Sequence, residues 1–483
     1  MSATRIPAAL EGPAAAAVRE ALGETAGAWV VGGALRDALL GRPVVDLDLA
    51  VYGGEEEAAR AVARASGGAA FCLSESFGAW RSIAPAGWHV DVSRLRSGSI
   101  ERDLALRDFT ANALAVPVAV LAGGASELVD PLGGRDDIAR RWLRATGPGA
   151  FDDDPLRLLR AARIAAQLGF QIERETLALA RTAAPRAGEP AGERQLAELR
   201  LLVCGSDPLR GLDLLEELRA LPAVLPELEA LRGVEQNPNH HLDVYGHTMQ
   251  VLVGVLEIER DLERFVGAAA PEVVGLLDES LADELDRRCG LRFAALFHDL
   301  GKPAARGERG GYITFIGHDR VGAEIVRAIC ERLRASRRLA AYLANVTRDH
   351  LRLGFLVHRR PLDRRAVYRY LRATQPDSVD TTLLTIADRL AARGTGPVAS
   401  EEVVAAHLEL ASEMVDEALA WRRQGPPRAP IRGDELAAEL GLEPGPELGR
   451  LLEEIAAAVF AGEVTDRDEA VAFARSLVGG GSG

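Results

Sequence analysis

Three apolar residues, Trp29, Val30 and Val31, open a pattern that predicts strand, turn and helix in quick succession. The run breaks at Gly32-Gly33 and restarts as an amphipathic helix with Arg36 and Asp37 in its first turns, ending at Gly41. A second short strand follows and carries Asp46 and Asp48. Side chains at i and i+2 of a strand share a face, so this spacing predicts that the two carboxylates converge. Converging carboxylates repel unless a hard cation lies between them, and Mg²⁺ on a nucleotide's phosphates supplies one. The Gly-Gly turn lets backbone approach a triphosphate at a helix N-terminus, where free N–H groups and the dipole favour anions. Either feature alone is usually an ordinary surface turn. Together, within one strand–helix–strand unit, they point to nucleotidyl transfer with Asp46 and Asp48 as the catalytic, Mg²⁺-holding pair.

Past Asp48 the pattern predicts a helix over residues 55–65 and then strands. The segment WHVDVSRLR alternates apolar and polar positions and sets Asp91 on a strand, where it would approach the pair as a third carboxylate. A later stretch, DDDPLRLLRAARIAAQLGF (152–170), predicts a helix with Asp154 as N-cap and Pro155 at the first helical position. Asp154 and Arg157 are three apart and hence neighbours on one helix face. A carboxylate accepts and a guanidinium donates, which matches the adjacent donor and acceptor of cytosine and adenine. Uracil and guanine present the opposite polarity and would leave buried groups unpaired, at about 1–3 kcal/mol each.

From residue 236 the composition changes, and eight of the nine histidines lie after residue 239. His247 falls on a predicted helix, His298-Asp299 at the end of an apolar helix, and His318, His350 and Asp388 follow. Imidazoles and carboxylates converging in a helical bundle make a divalent-metal site. Residues 262–290 read as an acidic helical insert.

A chain of 483 residues is too long for one ordinary core, which predicts two to four domains. With 48% hydrophobic and 27% charged residues it reads as soluble and globular. Its apolar stretches stop well short of the roughly 18 residues a membrane span needs, and the N-terminus lacks a signal-peptide layout. Cys72, Cys204, Cys289 and Cys330 show no metal-ligand or disulfide-like spacing, so a reducing cytoplasm is expected. The net charge of −14 argues on average against a polyanionic partner. Arginines nevertheless cluster at residues 135–144, 157–163 and 194–200, so a local basic surface is compatible with the acidic total. Lys302 is the single lysine among 57 basic residues, and it lies in HDLGK, where a compact ammonium offers a point charge.

The strand–GG–helix–DxD order resembles the head of class II tRNA nucleotidyltransferases (CCA-adding enzymes) and bacterial poly(A) polymerases. LRDFTANALAV (106–116) resembles that family's RRDFT-x-NA motif through Arg107, Asp108, Thr110 and Asn112, with Leu106 replacing the first arginine. The resemblance implies nucleotide contacts from Gly32, Gly33, Arg36, Arg107, Asp108 and Asn112. Asp154 and Arg157 match the family's base-selecting EDxxR motif, with Asp153 in place of its glutamate, and Arg160 and Arg163 continue along that helix toward phosphate or an ion-pair network. Asp130, Gly133-Gly134 and Arg144 would shape the joint of head and neck, and Glu193 and Arg194 would brace the neck. The later half resembles the HD phosphohydrolase domain appended to many members. His247, His298, Asp299 and Asp388 match its metal ligands, and Lys302, His318 and His350 would meet substrate phosphate or a second metal.

The resemblance implies an α+β fold: a nucleotidyltransferase head (1–127) with a mixed sheet, then an all-helical neck (128–232), HD domain (233–395) and tail (396–478). It implies template-independent addition of C and A to the tRNA 3′ end from CTP and ATP by two-metal Mg²⁺ chemistry, in the cytoplasm and without a membrane partner. A divalent metal of unspecified identity would occupy the HD domain. Only 59 positions separate Asp48 from Arg107. Complete CCA-adding relatives usually carry a longer loop there, and its shortening is a feature of CC-adding relatives. Rival readings are CC addition from CTP alone, poly(A) polymerisation, and an HD phosphohydrolase whose head only binds RNA. Oligomeric state is left open.

Overall fold

The computed structural model describes residues 10–23, 25–75, 78–123 and 127–479. The expectation about the N-terminus rests partly on residues 1–9, which lie outside that range. The chain divides into two compact units, Met1–Val224 and Leu225–Gly483.

In the first unit six strands form one mixed sheet: β1 (Ala28–Val31), β2 (Leu47–Val51), β3 (Ala69–Ser74), β4 (Ala79–Ile83), β5 (His89–Arg94) and β6 (Ala115–Pro117). Their order is β3-β4-β5-β2-β1-β6, with β2 and β5 parallel and the other pairs antiparallel. The helix Glu55–Ser66 runs one residue past the expected end and packs across β3, β4 and β5. Its three first-turn glutamates complement the helix dipole. Leu47, Leu49, Val90 and Val92 are buried on the covered side. Alternation therefore leaves Asp48 and Asp91 on the opposite face.

The helices Arg157–Leu168, Gly192–Val203 and Pro208–Glu217 follow. They are not the whole of this region: Trp142–Leu143 and Gln171–Ile172 pair as a short parallel ribbon. The second unit is a helical bundle built on Val244–Arg260, Arg287–Phe297, His318–Arg332, Arg337–Asp349, Ser378–Ala391 and Glu401–Gln424. Gly254 brings two of these helices together, because a Cβ there would stand 3.1 Å from that of Ala387. The acidic insert is only partly helical. Leu262–Val266 and Ala270–Leu277 give way to a hairpin of Ser280–Ala282 and Leu285–Asp286, and a second hairpin pairs Gly307–Arg309 with Tyr312–Thr314. Backbone groups between helices find partners in these ribbons rather than remaining unpaired. The tail holds a small core of its own around Leu436, Leu451, Ile455 and Ala470.

Among the described residues no helix is long and apolar enough to cross a membrane. Cys72 and Cys330 are free thiols.

Candidate active site and metal centre

β1 ends at Gly32, whose φ of +76° lies in the left-handed region. A Cβ there would stand 3.1 Å from Arg107 Nη1 and 3.3 Å from Asp48 Oδ2, so glycine is required by conformation and by space. Asp48 lies on β2 directly opposite Asp91 of β5. Asp46 precedes β2 by one residue and is exposed. Its Oδ1 accepts from the backbone N–H of His89 at 2.8 Å and lies 3.0 Å from His89 Nδ1. Asp91 is held by Arg81, whose Nε and Nη2 donate to its two oxygens at 2.7 and 2.8 Å. That hydrogen bond, followed by the charges of Asp91, Asp46 and Asp48, raises the pKa of Arg81.

Asp48 is reachable by solvent yet ringed by protein. Desolvation pushes its carboxyl up and Asp91 adds to the shift, while Arg107 opposes it most strongly. Carboxylate oxygens bearing poorly compensated negative charge suit a hard cation. Asp91 takes the row expected of a third carboxylate, but its oxygens are engaged by Arg81. Among the described residues the head gathers no cluster of three ligands.

Arg107 points its Nη1 at the Gly32 turn, and its buried Nε has no hydrogen-bond partner among the described residues. Behind it a chain of hydrogen bonds runs from the head into the following helices. Arg36 Nη1 donates to Asn112 Oδ1 at 2.7 Å, and Asn112 Nδ2 donates to Asp108 Oδ1 at 3.0 Å. Asp108 Oδ2 accepts from Arg160 Nε and Nη2 at 2.9 and 2.7 Å. Arg160 Nη1 and Arg163 Nε donate to Glu198 at 3.2 and 2.6 Å. Burial pushes the Asp108 carboxyl up, but Arg160 and Asn112 outweigh it and hold it at about 2. The arginines at 157–163 are therefore drawn inward against carboxylates and backbone carbonyls and form no basic surface, which corrects the reading of that cluster.

The helix expected from Pro155 begins instead at Arg157. Asp154 is extended, at φ −152° and ψ 99°, as a residue before proline prefers. It caps the turn through the N–H of Leu156 at 3.2 Å and pairs with Arg194 Nη2 at 2.8 Å. Arg157 donates to the carbonyls of Ala150 and Leu106 at 3.0 and 2.7 Å. The backbone N–H of Arg157 donates to the carbonyl of Asp154 at 3.0 Å, but their side chains turn to different partners.

In the second unit, His247, His298 and Asp388 form one group of ligand atoms, and Asp299, His318 and His350 form another, each within 4.8 Å. Asp299 joins them: Oδ2 lies 3.1 Å from His298 Nε2 and 3.7 Å from His247 Nε2, and Oδ1 lies 3.3 Å from His318 Nε2. The Nδ1 atoms of His298, His318 and His350 face the carbonyls of Ala295, Phe315 and Thr347 at 2.8, 2.7 and 2.6 Å. Such carbonyl bonds fix the tautomer that leaves Nε2 free to ligate. Among the described residues the Nε2 atoms of His298 and His318 are buried without a hydrogen bond, as lone pairs aimed at a common centre should be. These residues fit a divalent metal, and Asp299 faces both groups of ligand atoms.

Lys302 Nζ lies 2.7 Å from Asp299 Oδ2 and donates to Gln236 Oε1 at 2.7 Å, so its charge is directed into the cluster. His240, which was not singled out in the sequence, stacks edge-on to His247 with ring centres 4.7 Å apart. Burial pushes its imidazole down to about 3. Arg81, His89 and Glu198 were also not anticipated. Of these, only Arg81 left a trace, as a polar position inside the strand AWRSI.

The fold and these two sites define a nucleotidyltransferase head joined to an HD metal domain. Residues 28–144 match the poly A polymerase head domain, 169–231 the "Probable RNA and SrmB- binding site of polymerase A", and 244–393 the HD domain. The A-adding tRNA nucleotidyltransferase of Deinococcus radiodurans is 38% identical over 92% of this chain and 94% of that protein. The CC-adding tRNA nucleotidyltransferase of Thermus thermophilus is 35% identical over 92% of each. A solved CCA-adding enzyme in its apo form shares the fold with a TM-score of 0.62 at 19% identity, over 99% of this chain and 97% of that one. The chain belongs to the family of CCA- and CC-adding tRNA nucleotidyltransferases and is a nucleotidyltransferase.

Proposed function

We propose that this enzyme extends the tRNA 3′ end without a nucleic-acid template, and that it adds the two cytidines of CCA from CTP. Complete CCA addition from CTP and ATP is the broader reading of the same site. The narrower one is carried by the connection between β5 and the helix Ile100–Ala105, which spans only residues 95–99. Tyr52 donates its hydroxyl to the carbonyl of Gly98 at 3.0 Å, and Asp103 accepts from the N–H of Arg96 at 3.0 Å. A segment this short and pinned has little room for the rearrangement associated with switching from C to A. Addition of the terminal adenosine is a second reading, favoured by the 38% identity to a relative named for it.

In the mechanism, the RNA 3′-hydroxyl attacks the α-phosphorus of the nucleotide and pyrophosphate leaves in line. Asp46 and Asp48 would hold Mg²⁺, which in a two-metal site lowers the pKa of the attacking hydroxyl and neutralises the triphosphate. The Gly32-Gly33 turn and Arg107 receive the phosphates. Arg36 and Asn112 stand beside them, oriented by Asp108, which Arg160 and Glu198 hold in turn. Asp154 faces the base, oriented by Arg194, and Arg157 fixes the joint on which both depend. The HD cluster would hold a divalent metal for phosphohydrolysis. We assign head, neck, HD domain and tail to residues 1–127, 128–232, 233–395 and 396–478.

The deciding experiment uses tRNA transcripts ending at the discriminator base, at C and at CC, each with CTP, ATP or both, resolved at single-nucleotide length. The proposal expects cytidine addition to the first two and no use of ATP. One adenosine on the CC end, without cytidine addition, would mark an A-adding enzyme; both activities together would mark a complete one. Long adenosine tails would establish a poly(A) polymerase, and no extension would leave the HD chemistry alone.

A further inference from the structure

The row that carries Asp48 continues across the sheet. Asp48 pairs with Asp91, Asp91 with Arg81, and Arg81 with Phe71. Directly opposed residues of neighbouring strands project to one face. The adjacent row on that face pairs His89, the partner of Asp46, with Ile83, and Ile83 with Ala69. Phe71 is 44% and Ile83 39% exposed, although both are large and apolar. The open face of the head is therefore charged over β2 and β5 and apolar over β4 and β3, with Arg81 between.

The nucleotide-binding groups lie on the other side of Asp48. Gly32 closes β1, and Arg107 stands over it. In the sheet order β1 flanks β2 on the side away from β5. Phosphoryl transfer sets the attacking and leaving oxygens in line. With pyrophosphate leaving toward Gly32 and Arg107, the attacking hydroxyl arrives from the β5 side, and the strand that carries it crosses β4 and β3. At about 4.8 Å per strand, Phe71 lies roughly 14 Å from Asp48. That is within reach of the nucleosides just behind the 3′ end.

We infer that the open face of β3 and β4 binds the last nucleosides of the RNA acceptor, with Phe71 as a base-stacking platform and Ile83 beside it. Stacking on an aromatic ring tolerates any base. An acceptor whose terminal residue changes with each addition requires that tolerance. The Arg81 guanidinium, next to Phe71 in its row, neutralises Asp91 and so removes one negative charge from the path of the RNA backbone. The inference rests on the RNA-extending reading of the head, and the two can fail separately.

The test compares the full chain with its F71A and F71W variants in two assays. In steady-state extension, F71A is expected to raise KM for tRNA about tenfold, the equivalent of one lost base stack. KM for CTP should stay within about twofold of wild type on the same principle, and F71W should restore tRNA binding. The second assay needs no catalysis: a single-stranded RNA carrying 2-aminopurine at its penultimate position is titrated with each protein. Quenching by wild type and F71W but not by F71A supports the platform. Equal quenching by all three, or an unchanged KM for tRNA in F71A, overturns it. If wild type extends no tRNA, the acceptor reading fails, and the quenching assay still decides the platform.

Discussion

Arg160 sets two guanidinium nitrogens, at 2.9 and 2.7 Å, on one carboxylate oxygen of Asp108, a residue 52 positions earlier in the chain. The pair ties the LRDFT segment to the helix Arg157–Leu168. It thereby places Asn112 and Arg36 on one side and Glu198 on the other.

This pair has a pH signature. The Asp108 carboxyl is held at about 2, below its ordinary 3.8. Because the folded-state pKa is depressed, the stabilisation is fully present above about pH 4 and is lost as pH falls toward 2. D108N should cost about 2 kcal/mol at pH 7. Urea unfolding of wild type and variant at pH 7 and pH 3 should show the difference shrinking in acid. A difference independent of pH would refute the assignment.

Asp48 should be indispensable to nucleotide addition. D48A is expected to lower kcat by about a thousandfold or more, as loss of several kcal/mol of metal-assisted stabilisation implies. Metal binding by the HD cluster should be unchanged in the same protein. Extension by D48A at near wild-type rates would remove the carboxylates from the mechanism.

Gly32→Ala places a methyl 3.1 Å from Arg107 and 3.3 Å from Asp48 in a left-handed backbone conformation. The strain is about 1–2 kcal/mol. Activity should fall further than this strain alone predicts, with KM for the nucleotide rising, because the methyl enters the phosphate cradle. Isothermal titration with a non-hydrolysable nucleotide would measure the binding loss directly.

Base choice should depend on Asp154 and, through it, on Arg194, which pairs with it at 2.8 Å. D154A and R194A are each expected to reduce discrimination between CTP and UTP by about tenfold, from one unsatisfied buried group. Misincorporation assays with mixed nucleotides report this ratio. Unaltered selectivity in D154A would assign base choice elsewhere.

The HD cluster should bind divalent metal through both of its groups. Asp299 faces each of them, so D299A should lose more metal than H350A, which removes one ligand of a single group. Elemental analysis of the purified proteins, together with thermal unfolding before and after chelation, measures both effects. Equal retention in the two variants would place the ion away from Asp299.

Local patterns determined the elements of this protein and the chemical kinds of its sites. The Gly-Gly break after an apolar run had one economical outcome, a strand end at Gly32 with positive φ. The alternation in WHVDVSRLR set Asp91 on a strand, and the apolar helix before His298 delivered the HD pair to a bundle. Local rules also limited what could be read. Asp154 looked like the neighbour of Arg157 on a helix face. The proline that follows it forced an extended backbone instead and turned it toward Arg194, 40 residues away.

Tertiary structure alone decided which charges meet. Arg81 takes Asp91 out of the carboxylate set, and Glu198 and Asp108 absorb arginines that composition suggested were a basic surface. Asp299 became the junction of two ligand groups because four helix-borne histidines end around one buried carboxylate. Periodicity fixes the face of its own element but carries no information about which distant face it will meet. Partnerships between residues tens to more than a hundred positions apart are settled only when the elements pack.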